Sequence, residues 1–273
     1  MLHAARFWMG RALAATALFF LLTFAATAAP QAPSPLEAAG KLRSLAQRQV
    51  KLNLQIALGV ERSAAEARLR ESVAEFDRLV PLVQAAAREG AAARSARRLG
   101  AEWASQRALL LAPPAQGRAA TLGAGAEQLS IAAQGLAVQF DLAQDAPLAR
   151  LADLASRTDM LAQRLARLYL ATQSGAGGEA AKVDLAQTSR EFMSAFASLE
   201  EAGENTAAIR AKLRLVRQQW MFFEFAVNDP SRATNSGFEF VRRDVASTSE
   251  RISQVMAETA AAYSQLALAG ARR

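Results

Sequence analysis

The chain contains no cysteine, and its single histidine is His3. No disulfide can staple it, and no thiolate is available as nucleophile or metal ligand. Past residue 3 there is also no imidazole for a His-dependent triad or a zinc site. Strand signals are missing: β-branched residues are sparse, and no run alternates apolar and polar residues with period two. Carboxylates are plentiful, yet none gather beyond ordinary i, i+4 helix spacing. The expectation is of a protein that is not an enzyme and holds no metal or cofactor.

A leader comes first. Arg6 and Arg11 are its basic part, Ala12 to Phe24 is an uncharged apolar run, and Ala26-Thr27-Ala28 offers small residues for cleavage. That order reads as a signal peptide over residues 1–28, with a short linker at 29–34 and a periplasmic product. The alternative is an uncleaved leader anchored in the inner membrane, although a spanning helix needs about 20 apolar residues. Lys and Arg number 32 against 25 Asp and Glu, a net charge of +7. The arginines are spread among acids at helical spacing, with no basic block, which suits a solvated helix surface and not nucleic acid.

The rest reads as helix. Ser34-Pro35-Leu36-Glu37 is an N-cap serine, a proline in the first turn and a capping-box glutamate, opening a helix that ends near Gly59. Ser63-Ala64-Ala65-Glu66 repeats the box pattern and predicts a second helix to about Gly90, kinked or interrupted at Pro81. A third carries Trp103 and stops at Pro113-Pro114, and a fourth spans about Thr121 to Ala143. After Asp145 and Pro147 a helix runs to Ser174, followed by a glycine turn at Gly175 to Gly178. Helices near 179–202 and 205–227 follow, then a break at Asn228 to Ser231 and a last helix over about 237–268.

The sequence also repeats. Residues 39–59 align without gaps on residues 155–175, including Leu45-Ala46-Gln47-Arg48 on Leu161-Ala162-Gln163-Arg164. The offset persists downstream, pairing Glu75-Phe76 with Glu191-Phe192 and, one residue longer, Trp103 with Trp220. The predicted fold is therefore an all-α, tandem duplicated helical bundle with up-down antiparallel packing. Each unit holds roughly four helices, the first over 35–144 and the second over 145–270.

On the first helix, Ala38, Leu42, Leu45, Leu52 and Ile56 form a stripe that suits its own bundle. The adjacent stripe of Ala39, Arg43, Ala46, Val50 and Asn53 admits a close neighbour but includes a guanidinium. A charge in such a seam needs an anion or hydrogen-bond acceptors. Arg43, Gln47 and Lys41 beside Gly40 form a candidate small-anion site by forked hydrogen bonds. Equally, Arg43 can snorkel to solvent or pair with a carboxylate on a neighbouring helix.

The string Ala39-Gly40-Lys41-Leu42-Arg43-Ser44-Leu45-Ala46-Gln47-Arg48 resembles the AG-x-x-R-M-L-x-Q-R signature of a helical sensor family. Its members are the N-terminal domains of type IV pilus methyl-accepting chemotaxis transducers, related to nitrate/nitrite sensor domains. The second copy, Ser156 to Arg164, keeps the latter half of the signature. In the nitrate-sensing relatives, this helix meets its counterpart from a second subunit, and motif arginines grip the anion between them. The resemblance thus implies a ligand-binding set of Gly40, Lys41, Arg43, Gln47 and Arg48, with Arg157, Asp159, Gln163 and Arg164 from the second copy. Position 43 has Asp159 as its counterpart, so a pseudo-dimer would set Arg43 against Asp159, as an internal ion pair or as a site for a zwitterion.

Two functions compete. One is a non-enzymatic periplasmic sensor that binds a small anion or polar solute, nitrate- or nitrite-like, at the paired motif helices. With no signalling hairpin or kinase past residue 270, it would report through a receptor or other envelope protein. The other is a structural or interaction bundle of the envelope with no small ligand. A homodimer is compatible with either.

Overall fold

Ser34 starts the first helix as its sequence requires. Its Oγ accepts from the Glu37 backbone N–H at 3.3 Å, and the Glu37 carboxylate accepts from the Ser34 N–H at 2.8 Å. The computed structural model describes residues 32–112, 117–142, 147–175, 177–228 and 237–270. Among them run eight helices and no strand: α1 (Pro35–Ala57), α2 (Arg62–Ala86), α3 (Gly90–Leu111), α4 (Arg118–Leu142), α5 (Pro147–Gln173), α6 (Gly178–Glu201), α7 (Ala207–Asn228) and α8 (Gly237–Gly270). The protein is an all-α helical bundle. The leader, the Pro113-Pro114 stop, Asp145 and residues 229–231 of the predicted break lie outside the described residues.

One local expectation is corrected and another is narrowed. The second capping box does not form, because Glu61 takes the left-handed turn straight after α1 (φ 45°) and its carbonyl accepts from Ala65 at 2.9 Å. Ser63 consequently lies inside the first turn of α2, where it cannot act as N-cap. Nor does Pro81 interrupt α2, which continues to Ala86. Leu79, Val80 and Val83 around it are buried, so packing carries the helix across the missing N–H.

Packing follows one plan in both halves. α1 lies against α2 and α4, with α3 on α4; α5 lies against α6 and α8, with α7 on α8. Phe76 stacks on Trp103 with ring centroids 4.0 Å apart, and Phe192 on Trp220 at 4.4 Å. α1 and α5 also end alike, on Gly59 and Gly175, whose φ of +74° and +73° lie where side chains with a Cβ are strained.

α1 and α5 pair with each other at the centre. Their contacts rise together along both chains, Gly40 with Ser156, Ser44 with Asp159 and Gln47 with Arg167, so the two helices run parallel. Gly40 meets Ser156, the residue at its own repeat position. A Cβ on Gly40 would lie 2.8 Å from both Cβ and Oγ of Ser156, so the glycine sets the approach. Both predicted stripes of α1 are buried apart from half-buried Asn53, and Gln49 and Lys51 are buried with them, leaving little of the helix in solvent.

Gly40→Ala should therefore lower stability by about 1–3 kcal/mol through overpacking, although alanine is the better helix former. Urea unfolding checks this, and Ser156→Gly in the same chain should restore most of the loss.

Candidate functional site

Most of the motif residues lie along the α1–α5 seam, where burial makes every charge demand a partner. The Arg43 side chain is fully buried. It donates through Nη1 to Gln134 Oε1 on α4 and through Nη2 to the carboxylate of Asp153 on α5, with the Asp153 carbonyl 3.5 Å from Nη2. The Arg43–Asp159 pair does not form. Helical side chains lean towards their own N-terminus, and the long guanidinium reaches about 9 Å of helix rise back along α5 from Asp159 to Asp153. The shorter Asp159 side chain stays at its own level, where Oδ1 accepts from Ser44 Oγ on α1 at 2.8 Å and from Ser253 Oγ on α8.

Further along, each half reaches across to the other. Arg48 holds the Glu250 carboxylate of α8 through Nε at 3.0 Å and Nη2 at 2.7 Å, and Lys51 donates to the same carboxylate and to Ser249 Oγ at 3.2 Å. In mirrored fashion Arg164 and Arg167 of α5 share Glu127 on α4, and Arg164 also donates to Thr188 at 3.1 Å. Lys51 and Arg167 occupy the same repeat position, so an i, i+3 pair of cations grips one glutamate in each half. Gln47 links the systems, donating to Ser130 at 2.9 Å and accepting from Arg167 Nε at 2.7 Å.

Burial and charge oppose each other here. Burial disfavours the Glu250 anion, but the charges of Lys51 and Arg48 and their hydrogen bonds prevail, holding its pKa well below the ordinary 4.5. Burial pulls Lys51 below its usual value against the attraction of Glu250, and Arg167 likewise against Glu127. Arg48 is raised, since Glu250 outweighs its desolvation. Asp159 is raised by burial, with Lys41, Ser253 and Ser44 acting against the rise.

The remaining sequence candidates divide. Gly40 is filled by Ser156, and Lys41 is half-buried at the edge. Arg157 is exposed and lies 3.8 Å from Glu191 on α6, away from the seam. Gln163 is fully buried, and neither its amide oxygen nor its nitrogen has a partner; Ser130, which serves Gln47, has Ala246 as its counterpart. Sequence reasoning missed Asp153, Glu250, Glu127 and Gln134. No signal in the sequence marks them, because only the packing of α4, α5 and α8 brings each to its cation. Two surface depressions, of about 440 and 280 Å³, open elsewhere, and no motif residue lines either. Among the described residues no group of His, Cys, Asp and Glu could hold a metal, and no helix is long and apolar enough to cross a membrane.

Two variants separate these roles. Glu250→Gln strands Lys51 and Arg48 and should cost about 3 kcal/mol in urea unfolding at neutral pH. Because Glu250 titrates below 4.5 when folded, the unfolded chain takes up its proton first. Its stabilisation is complete above that pH and drains away on acidification, so wild type and variant should converge in acid. Asp159→Asn should behave oppositely. A folded pKa raised above 3.8 means that ionisation works against folding at neutral pH, so the variant should raise the urea midpoint at pH 7, with the gain shrinking as pH falls through that raised pKa.

No family model, curated protein or solved structure matches the chain.

Proposed function

We propose that this is a non-enzymatic helical module of the cell envelope, exported by its leader, that works by contact with a partner protein. The observation that carries this is the internal neutralisation of the motif cations. Arg43 meets Asp153, Arg48 and Lys51 meet Glu250, and Arg164 and Arg167 meet Glu127. In the nitrate-sensing relatives of the family that the motif resembles, motif arginines hold an anion between helices of two subunits. Here carboxylates of the chain itself stand in that role and tie the halves together.

A partner-facing surface supports the same reading. Met221 and Phe222 on α7 and Phe240 on α8 are each more than half exposed. The positions of the first half that align with Met221 and Phe222 are Ala104 and Ser105, both exposed as well. The fold therefore tolerates small residues there, and Met221 and Phe222 are free to meet a partner.

A second reading has one observation in its favour. Arg43 Nε is buried without a partner, and its Asp153 partner is 21% exposed. A small oxyanion such as nitrate could displace Asp153 and take the free N–H.

Two measurements decide. A photo-crosslinker at position 222 should trap one discrete protein in intact cells, and the same group at position 105 should trap none; equal labelling defeats the interaction reading. Melting in the presence of nitrate, nitrite and other oxyanions should show no shift. Ligand at 100 times its dissociation constant would add about 2.7 kcal/mol, and such a shift lost in Arg43→Ala would establish the anion sensor instead.

A further inference from the structure

The two halves differ most at the meeting of their second and third helices. In the first half, Asp77 of α2 accepts from the indole N–H of Trp103 at 2.8 Å and from Arg107 Nε at 2.9 Å, locking α3 onto α2. In the second half Asp77 is replaced by Met193 and Arg107 by Glu224, so neither arm of the lock exists. α6 and α7 stay joined at one end, where Arg217 pairs with Glu200 and lies 5.0 Å over the Phe196 ring, and at the Phe192–Trp220 stack. Beyond Trp220 the helices part and leave a groove of about 280 Å³.

Trp220 and Phe223 supply aromatic faces to this groove, with Leu165 of α5 and Leu185 of α6 beside them. Its rim carries one charge of each sign, Lys182 on α6 and Glu224 on α7. Lys182 pairs with Glu179 at 2.6 Å, but both side chains are largely exposed, so that pair exchanges at little cost. The Trp220 indole N–H, whose counterpart is spent on Asp77, has no acceptor among the described residues. The volume is at the small end of ligand pockets and suits a single ring, not an extended peptide.

We propose that the α6–α7 groove binds a small aromatic zwitterion, a solute of one ring bearing both an ammonium and a carboxylate. The ring lies against Trp220 and Phe223. The carboxylate takes Lys182, and the ammonium takes Glu224. This rests on the reading of the chain as a non-enzymatic binding module, but it uses none of the charged seam residues and none of the exposed aromatics, so it fails or stands separately from that reading.

Calorimetric titration of L-phenylalanine into the full chain tests it, with tryptophan emission followed in parallel because Trp220 lines the groove. Saturable binding with an emission change is expected. 3-Phenylpropionate and phenethylamine, each lacking one charge, should bind about tenfold more weakly, as should L-phenylalanine to Glu224→Gln, the loss of one charge-assisted contact. Glycine should not bind. The double variant Met193→Asp/Glu224→Arg rebuilds the lock of the first half and should abolish binding, with circular dichroism reporting whether it folds. If it does not fold, Lys182→Ala, a change on the exposed rim, carries the test with the same tenfold loss. Absence of heat and emission change at millimolar L-phenylalanine overturns the proposal. So does equal binding of all three ring compounds, since the groove would then read the ring alone.

Discussion

Arg43, Lys51 and Asp159 are buried at the α1–α5 seam, and Arg167 nearly so. An ion left alone in such a place costs several kcal/mol, so the bundle can close only where partners arrive with the neighbouring helices. Gln134 and Glu127 come from α4, Asp153 from α5, and Ser253 and Glu250 from α8. Apolar packing would let α4 and α8 slide or rotate by part of a turn at modest cost. The charge requirement does not, because each partner serves from one register only. Hydrophobic burial supplies the stability of this fold, and the seam supplies its alignment.

The helices were legible in the sequence because their signals are local. Ser34-Pro35-Leu36-Glu37 carries its whole cap within four residues, and Gly59 and Gly175 end their helices by a backbone conformation that glycine alone adopts easily. Ser63 failed because another residue, Glu61, turned the chain first. The site was legible only as a place. That Arg43 needed an acceptor followed from its stripe, but which carboxylate would serve depended on side-chain length and lean across a seam whose register no spacing reveals. Glu250 and Glu127 were harder still, for they reach the motif from the opposite half. They look like ordinary surface acids until the fold brings them in.

The halves share a packing plan and diverge in chemistry. The Phe–Trp stack recurs, whereas the Asp77–Trp103–Arg107 lock occurs once, and the exposed Ala104 and Ser105 of α3 become Met221 and Phe222 on α7. A position that holds serine in one half and phenylalanine in the other, as Ser105 and Phe222 do, is not constrained by the packing plan the halves share. The comparison within a single chain thus separates residues that hold the bundle from residues free to meet something else.

The parallel run of α1 against α5 has a mechanical consequence. Gly40–Ser156, Ser44–Asp159 and Gln47–Arg167 climb together along one pair of rods, with Arg43 reaching back to Asp153. Sliding either rod by one residue, about 1.5 Å, would drive a side chain into Gly40 and pull the other three contacts apart in the same stroke. The pair therefore behaves as a ratchet with a single tooth position, stiff to axial displacement. Displacement along the axis is the costly motion of this bundle, and rocking of the outer helices is the cheaper one.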